Sequence, residues 1–278
     1  MSATWFPGIT PSHEMPLEID TRVAHPARVY DYLLGGKNNF AADQAAAKAA
    51  LAANPALRTA IRENRAVMRR MTAYLAGEAG IRQFLDIGTG LPSSPNLHEV
   101  AQERAPSARV VYVDNDPIVL AHARALLASS ADGSCAYLEA DLRAPAAIMA
   151  DPLLRATLDL TKPVAVVLVG ILHFIADSDQ PHDVVARLVA DLAPGSYLAV
   201  QHPTADFYAA GGGSAAAYRR AGIPFQYRTR EEFARFFTGL ELVPPGIVPM
   251  AEWRAGGEPE PRPAPTEASA YAGVARKN

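Results

Sequence analysis

The chain has 278 residues, of which 49% are hydrophobic and 20% charged, with a formal net charge of −3. This is the composition of a globular domain, and its near-neutral balance leaves no overall field to draw in nucleic acid or an anionic membrane. A single cysteine, Cys135, excludes a disulfide framework and any cysteine-cluster metal site, so a reducing cytoplasm is the expected setting. No Lys or Arg precedes Arg22 and no continuous apolar core follows the start, so a secretory signal is not expected. The longest apolar run, Val164 to Ile175, is too short to span a bilayer and contains His173.

Residues 1 to about 20, with Pro7, Gly8, Pro11 and Pro16, read as an irregular arm. A helix begins near Pro26, where proline suits a first helical turn, and stops at Gly35-Gly36. An alanine-rich helix follows over about 41–53. Pro55 opens a third, in which Leu57, Ile61, Met68, Met71 and Leu75 recur at helical spacing. Six arginines between Arg58 and Arg82 outnumber two glutamates, and they read as a solvated helix face. From Arg82 the rhythm becomes strand, helix, strand, helix. The strands are 83–87, 109–113, 136–138, 164–169 and 197–201; helices over 96–104, 117–128 and 182–192 are interleaved. This alternation predicts a parallel sheet covered on both faces. In the tail, 230–237 reads as a helix, 241–249 as a strand, 258–265 with its four prolines as a loop, and 271–276 as a last strand. The two late strands predict an antiparallel hairpin at one sheet edge. An N-terminal arm and helical cap over 1–80 and a core over 81–278 are the expected divisions.

The chemistry concentrates in Phe84-Leu85-Asp86-Ile87-Gly88-Thr89-Gly90. A buried strand ends in an acid and then a glycine bend, where the missing Cβ lets backbone N–H groups approach a ligand. Ligands of open α/β sheets bind beyond the carboxyl ends of the strands. Two further acids fall at such ends: Asp114, 26 residues after Gly88, and Asp141. An acid after the second strand suits a pair of ribose hydroxyls, and one after the third suits an exocyclic amine of adenine. Asp114 and Asp116 would also serve as helix caps. The dinucleotide fingerprint fails, because Ser93 stands where its third glycine belongs, and no Gly-Lys-Ser/Thr of a phosphate loop occurs. An acid beside the bend suits a ligand with a cationic end, such as S-adenosylmethionine.

On these stretches the chain resembles the class I S-adenosylmethionine-dependent methyltransferases. More narrowly, it resembles the actinobacterial S-adenosyl methyltransferase family, formerly a domain of unknown function. The resemblance is carried by Pro26-Ala27-Arg28-Val29-Tyr30-Asp31-Tyr32-Leu33-Leu34-Gly35-Gly36-Lys37-Asn38-Asn39-Phe40, by Asn64-Arg65, by residues 83–92 and by Val111-Tyr112-Val113-Asp114-Asn115-Asp116-Pro117. It implies a doubly wound, mostly parallel, seven-stranded Rossmann-like sheet, the C-terminal hairpin and an N-terminal helical cap. It implies S-adenosyl-L-methionine as cofactor. Gly88, Thr89 and Gly90 would hold the methionine moiety with Asp86 nearby, Asp114 the ribose, and Asn115, Asp141 and Leu142 the adenine. Gly170 and His173 would line the reactive side. Leu91-Pro92 departs from the family of folds, many of which carry a third glycine there.

Methyl transfer needs alignment of donor and acceptor and exclusion of water, and a base only where the acceptor must lose a proton. His173 and Tyr32 are the catalytic candidates; both also fit as structural residues. The segment 28–43 is expected to fold over the sheet as a lid, with Tyr30, Tyr32, Lys37 and Asn39 near substrate, although Gly35-Gly36 would equally end a helix. His202, after the fifth strand, is a further substrate candidate, and Asn64 and Arg65, inside the third helix, are candidates for the cofactor carboxylate. Gly211-Gly212-Gly213 reads as a loop. No metal site is expected. The expected partner is a small-molecule methyl acceptor, with no nucleic acid and no membrane; a cofactor-binding module without catalysis is the competing reading.

Overall fold

The computed structural model describes residues 20–126, 129–208 and 213–278. The proposed arm over 1–19, the expected end of the 117–128 helix and Gly211-Gly212 lie outside the described residues. Three helices come first: α1 (Pro26–Leu34), α2 (Ala41–Ala53) and α3 (Leu57–Gly77). Then come β1 (Gln83–Ile87), α4 (Leu97–Arg104), β2 (Arg109–Asp114), α5 (Pro117–Leu126) and β3 (Ser134–Glu139). Two short helices, α6 (Pro145–Ala150) and α7 (Pro152–Thr157), lead to β4 (Ala165–Val169), α8 (Pro181–Ala190) and β5 (Tyr197–Pro203). The chain closes with α9 (Ala215–Arg220), α10 (Arg230–Ala234), β6 (Glu241–Leu242), β7 (Val248–Pro249) and β8 (Ala270–Arg276).

The strands form one sheet in the order β3-β2-β1-β4-β5-β8-β6, with β7 also paired to β8. β1 to β5 run parallel, and β8 is antiparallel to β5, β6 and β7. The sheet has eight strands where seven were expected. The reason is local: the strand expected over 241–249 is interrupted by Pro244-Pro245-Gly246, so two short strands share one side of β8. Proline lacks the N–H that a ladder requires.

β4 is apolar throughout and its Ala165, Val166, Val167 and Leu168 are fully buried, because both faces of the sheet are covered. Val166, Val167 and Leu168 each contribute about 1.5–3 kcal/mol on leaving water. Leu85, Ile87, Val111 and Val113 face one core with α6, α8 and the Phe233–Phe237 segment. Phe84, Val110 and Tyr112 face the other with Met71 and Leu75 of α3 and Leu97 of α4. α6 and α7 were not foreseen; Pro145 and Pro152 start them, and Asp151 caps α7 by accepting from the N–H groups of Leu153 and Leu154.

A third cluster joins Val29 and Leu33 of α1 and the alanines of α2 to Ala215, Tyr218, Ile223 and Phe225. The N-terminal helices are thus roofed by the segment after β5. The arginines expected on a solvated face are mostly anchors. Arg58 donates to Leu33 O at 2.7 Å, Arg82 to Ala76 O at 2.8 Å, and Arg70, buried, to Trp253 O and Met250 O. No helix among the described residues is long and apolar enough to cross a membrane.

Candidate functional site

The strand order reverses at β1, whose neighbours are β2 on one side and β4 on the other, and the crevice opens beyond their carboxyl ends. Ile87 is level with Val113, and Asp114 with Glu139, so the chain ends of three strands are adjacent. Gly88 N donates to Val113 O at 2.8 Å, which pulls the bend against β2. Gly88 and Gly90 have φ of 75° and 67°, the left-handed region that favours glycine. A Cβ on Gly88 would sit 2.5 Å from Ile171 Cγ1, so the space it leaves is taken by a side chain. At Gly90 nothing lies within 4 Å of that position, and the bend is open to the crevice.

The crevice has a volume of about 370 Å³. Asp86, Gly88, Thr89, Gly90, Asp114, Asn115, Asp141 and Leu142 line one part of it, with Arg65 and Gly170. Asp114 is buried; its carboxylate accepts from Gly90 N at 2.8 Å and from Asp116 N at 2.9 Å. Burial raises its pKa against those two bonds. Burial also lifts Asp86 to about 7, only partly offset by the Thr89 side-chain hydrogen bond and the Arg65 charge. Asp141 is held below the ordinary carboxylate range by Arg143, whose Nε donates to Oδ1 at 3.0 Å. Asp116 works as the cap of α5, accepting from Ile118 N at 3.0 Å. Burial opposes its ionisation, but His25, with Nδ1 2.9 Å from Oδ2, outweighs that and keeps the carboxyl low.

The other part of the crevice is apolar, lined by Met68, Ile171, Phe174, Ile175, Ile223 and Pro224. Tyr30 and Asn64 also border it. The Tyr30 hydroxyl donates to Asn64 Oδ1 at 2.7 Å, and Asn64 Nδ2 donates to Gln201 Oε1 at 2.8 Å. The 222–224 wall went unseen in the sequence. Its only signal was a glycine and a proline after a short helix. His25 and Asn96 also border the crevice.

Several expected site residues lie elsewhere. His173 is buried and does not border the crevice; its ring packs on Phe174 at 3.9 Å and on Phe225 at 4.7 Å between centroids. Its pKa is driven well down, by burial first and then by His202 and Arg228. His202 donates from Nδ1 to Pro203 O at 2.7 Å and accepts at Nε2 from Arg228 at 2.8 Å, with burial pushing its pKa to about 3. Arg228, itself buried, also donates to Leu172 O, Ile175 O and Asp177. This neutral histidine is part of a structural network.

The expected lid is a helix end. Gly35, at φ 87°, terminates α1, with its N–H on Tyr32 O at 3.0 Å. Asp31 accepts from Asn38 N and from Asn39 Nδ2, and a Cβ on Gly36 would collide with it. Tyr32 packs in the cap cluster with Arg58 over its ring, and Lys37 is exposed. None of Tyr32, Lys37 and Asn39 lines the crevice; Gly35 ends the helix and Asp31 closes the turn that follows it. Arg65 borders the crevice and donates to the carbonyls of Ser93 and Pro95, the latter at 2.7 Å, so it braces the loop after the glycine bend.

The family model described as S-adenosyl methyltransferase matches residues 12–278. The chain belongs to the S-adenosyl methyltransferase family. A DUF574 family protein from Streptomyces avermitilis is similar in structure, at 49% identity and a TM-score of 0.87, covering 93% of this chain and 99% of that one. A candidate methyltransferase from Thermobifida fusca is similar at 43% identity and a TM-score of 0.84, covering 93% and 97%. Among curated proteins no match was found. The protein is an S-adenosylmethionine-dependent methyltransferase by family, and S-adenosyl-L-methionine is its cofactor.

The residues present fit that cofactor. Asp86 is enclosed with only a partial set of partners and keeps a raised pKa, which a ligand ammonium would relieve. The open side of Gly90 leaves backbone exposed beside Asp114, whose oxygens keep lone pairs free after their two backbone bonds.

Proposed function

We propose that the acceptor is a small molecule and that the crevice divides between it and the cofactor. On this reading Asp114 accepts from the ribose hydroxyls and Asp86 counters the ammonium. The bend at 88–90 passes beside the methionine moiety, and Asn115, Asp141 and Leu142 border the adenine. Bound there, the cofactor supplies a methyl carbon already activated by a sulfonium. The protein's own work is to hold the acceptor in line with that carbon and keep water out. The observation that carries the reading is the convergence of three carboxylates and an open glycine bend on one crevice, with an apolar compartment beside them.

Neither His173 nor His202 reaches the crevice, and His25, which borders it, is engaged with Asp116 at 2.9 Å, which favours an acceptor that needs no strong base. The same fact keeps a second reading in play, a cofactor-binding module that regulates a partner. The test is incubation of the purified protein with methyl-labelled cofactor and a cell extract, followed by separation of small molecules from macromolecules. Label in a small-molecule fraction is the expected result. Tight cofactor binding with no transfer to any fraction, across many extracts, would establish the second reading instead.

A further inference from the structure

The hydrogen bonds behind Tyr30 have a fixed direction, and it constrains what the crevice accepts. Gln201, at the end of β5, is buried, and its side-chain nitrogen lies 3.6 Å from the sulfur of Met250. A thioether only accepts, so the amide N–H₂ of Gln201 faces it and Oε1 turns to Asn64. Asn64 therefore donates to Gln201 at 2.8 Å and presents Oδ1 to Tyr30. The Tyr30 hydroxyl has that oxygen at 2.7 Å and the carbonyl of Ile61 at 3.5 Å, both acceptors. Its hydrogen is committed to the protein, and only oxygen lone pairs remain for a ligand.

Tyr30 and Asn64 border the crevice beside Gly170, where a Cβ would lie 3.4 Å from Asn64 Nδ2. The surrounding wall is Met68, Ile171, Phe174, Ile223 and Pro224, which favours a neutral, apolar frame over a charged one. Ionisation of Tyr30 is suppressed by burial, so the phenol is not a base. His173 and His202 are walled off from the crevice, His25, which borders it, holds Nδ1 2.9 Å from Asp116 Oδ2, and Asp86 is assigned to the cofactor ammonium.

We propose that the methyl acceptor is a neutral amine on a small apolar frame, held by donation of its N–H to the Tyr30 hydroxyl oxygen. This rests on the reading of the crevice given above. A neutral amine brings both a lone pair and an N–H, so it needs no base before attack. The nitrogen lone pair forms the N–C bond while the S–C bond breaks and its electron pair returns to sulfur. The N–H, still on Tyr30, becomes more acidic as positive charge builds on nitrogen, so this hydrogen bond strengthens toward the transition state. The product ammonium then gives its proton to water on release. A tertiary amine has no N–H to offer, an alcohol or phenol would need its proton removed, and a thiol is a weak donor.

The test uses the full chain with S-adenosylmethionine and five probes: aniline, N-methylaniline, N,N-dimethylaniline, phenol and thiophenol. Aniline and N-methylaniline are expected to be methylated, and the other three to be turned over at least about tenfold more slowly, the factor associated with one hydrogen bond. Tyr30→Phe is expected to lower kcat/KM for aniline about tenfold, with part of the loss in kcat, while the calorimetric Kd for S-adenosylhomocysteine changes less than about twofold. Equal turnover of N,N-dimethylaniline, phenol or thiophenol, an unchanged Tyr30→Phe variant, or no turnover of any probe by protein that binds the cofactor overturns the proposal. Failure of the wild-type protein to bind S-adenosylhomocysteine would instead bring down the reading of the crevice itself. The probe series on wild type decides the matter even where the Tyr30→Phe variant does not fold.

Discussion

Asp86 couples the proton balance of the folded chain to the cofactor. Its folded pKa of about 7 lies above its unfolded value of 3.8 because burial penalises the charge. The folded chain thus holds a proton that the unfolded chain releases. This group's contribution to stability is complete below 3.8 and is lost as pH rises through about 7. A ligand ammonium reverses the preference, since it pairs with the ionised form. Cofactor affinity is expected to fall as pH drops below 7, approaching about tenfold per pH unit. In Asp86→Asn it should be weak and flat between about pH 5.5 and 8. Calorimetry across that range decides; a flat wild-type profile removes Asp86 from the cofactor. Asp114→Ala loses both the proposed ribose acceptor and the bonds to Gly90 N and Asp116 N, so a loss of affinity of at least about a hundredfold is expected. Unchanged affinity would break the ribose assignment. These acids are readable in the sequence because each lies at the end of a recognisable strand. The same signal misleads at His173: its position after β4 points to the crevice, but a short 3₁₀ turn over Leu172–Phe174 carries its ring into the aromatic cluster.

At the scale of elements, the glycine bend is a packing device as well as an opening. Gly88 has a positive φ and lies under Ile171, so Gly88→Ala brings both backbone strain and a side-chain collision. A loss of about 1–3 kcal/mol of stability is expected by denaturant unfolding. Gly90→Ala meets only the backbone cost and should lose less, while narrowing the side of the crevice beside Asp114. Equal losses in the two variants would show that Ile171 yields without penalty. The segment after α1 teaches the converse lesson. Its crowding of tyrosines, asparagines and a lysine looked like substrate chemistry, but Asp31 uses Asn38 and Asn39 to fold a turn. Polar residues next to a glycine pair satisfy backbone and side-chain hydrogen bonds as readily as they bind ligands, and spacing alone does not separate the two.

Over the whole molecule, the cap is tied to the sheet through a buried charge cluster. Asp43 is fully buried and accepts from His25 N at 2.9 Å and Phe40 N at 2.8 Å, with Arg28 Nε 3.3 Å away. Arg28 and His25 in turn face Asp116, the cap of α5 and neighbour of Asp114. The Ala24–Ala27 wall of the crevice hangs on this cluster. Asp43→Ala leaves Arg28 buried with a weaker partner, so a loss of about 3–5 kcal/mol is expected. Cofactor affinity should drop about tenfold as the wall loosens, and hydrogen exchange should rise in α1. Destabilisation without any change in affinity would show that the cap merely covers the crevice.

The parallel sheet, the acids at its strand ends, the glycine bend and the family are all legible in the order of residues. Each of those depends on local periodicity or on short contiguous stretches of residues. The apolar compartment, the wall at 222–224, the direction of the Tyr30–Asn64–Gln201 hydrogen bonds and the burial of His173 and His202 arise only from packing. Those features join residues as far apart as Asn64 and Gln201, 137 positions along the chain, and only packing brings such groups within hydrogen-bond reach.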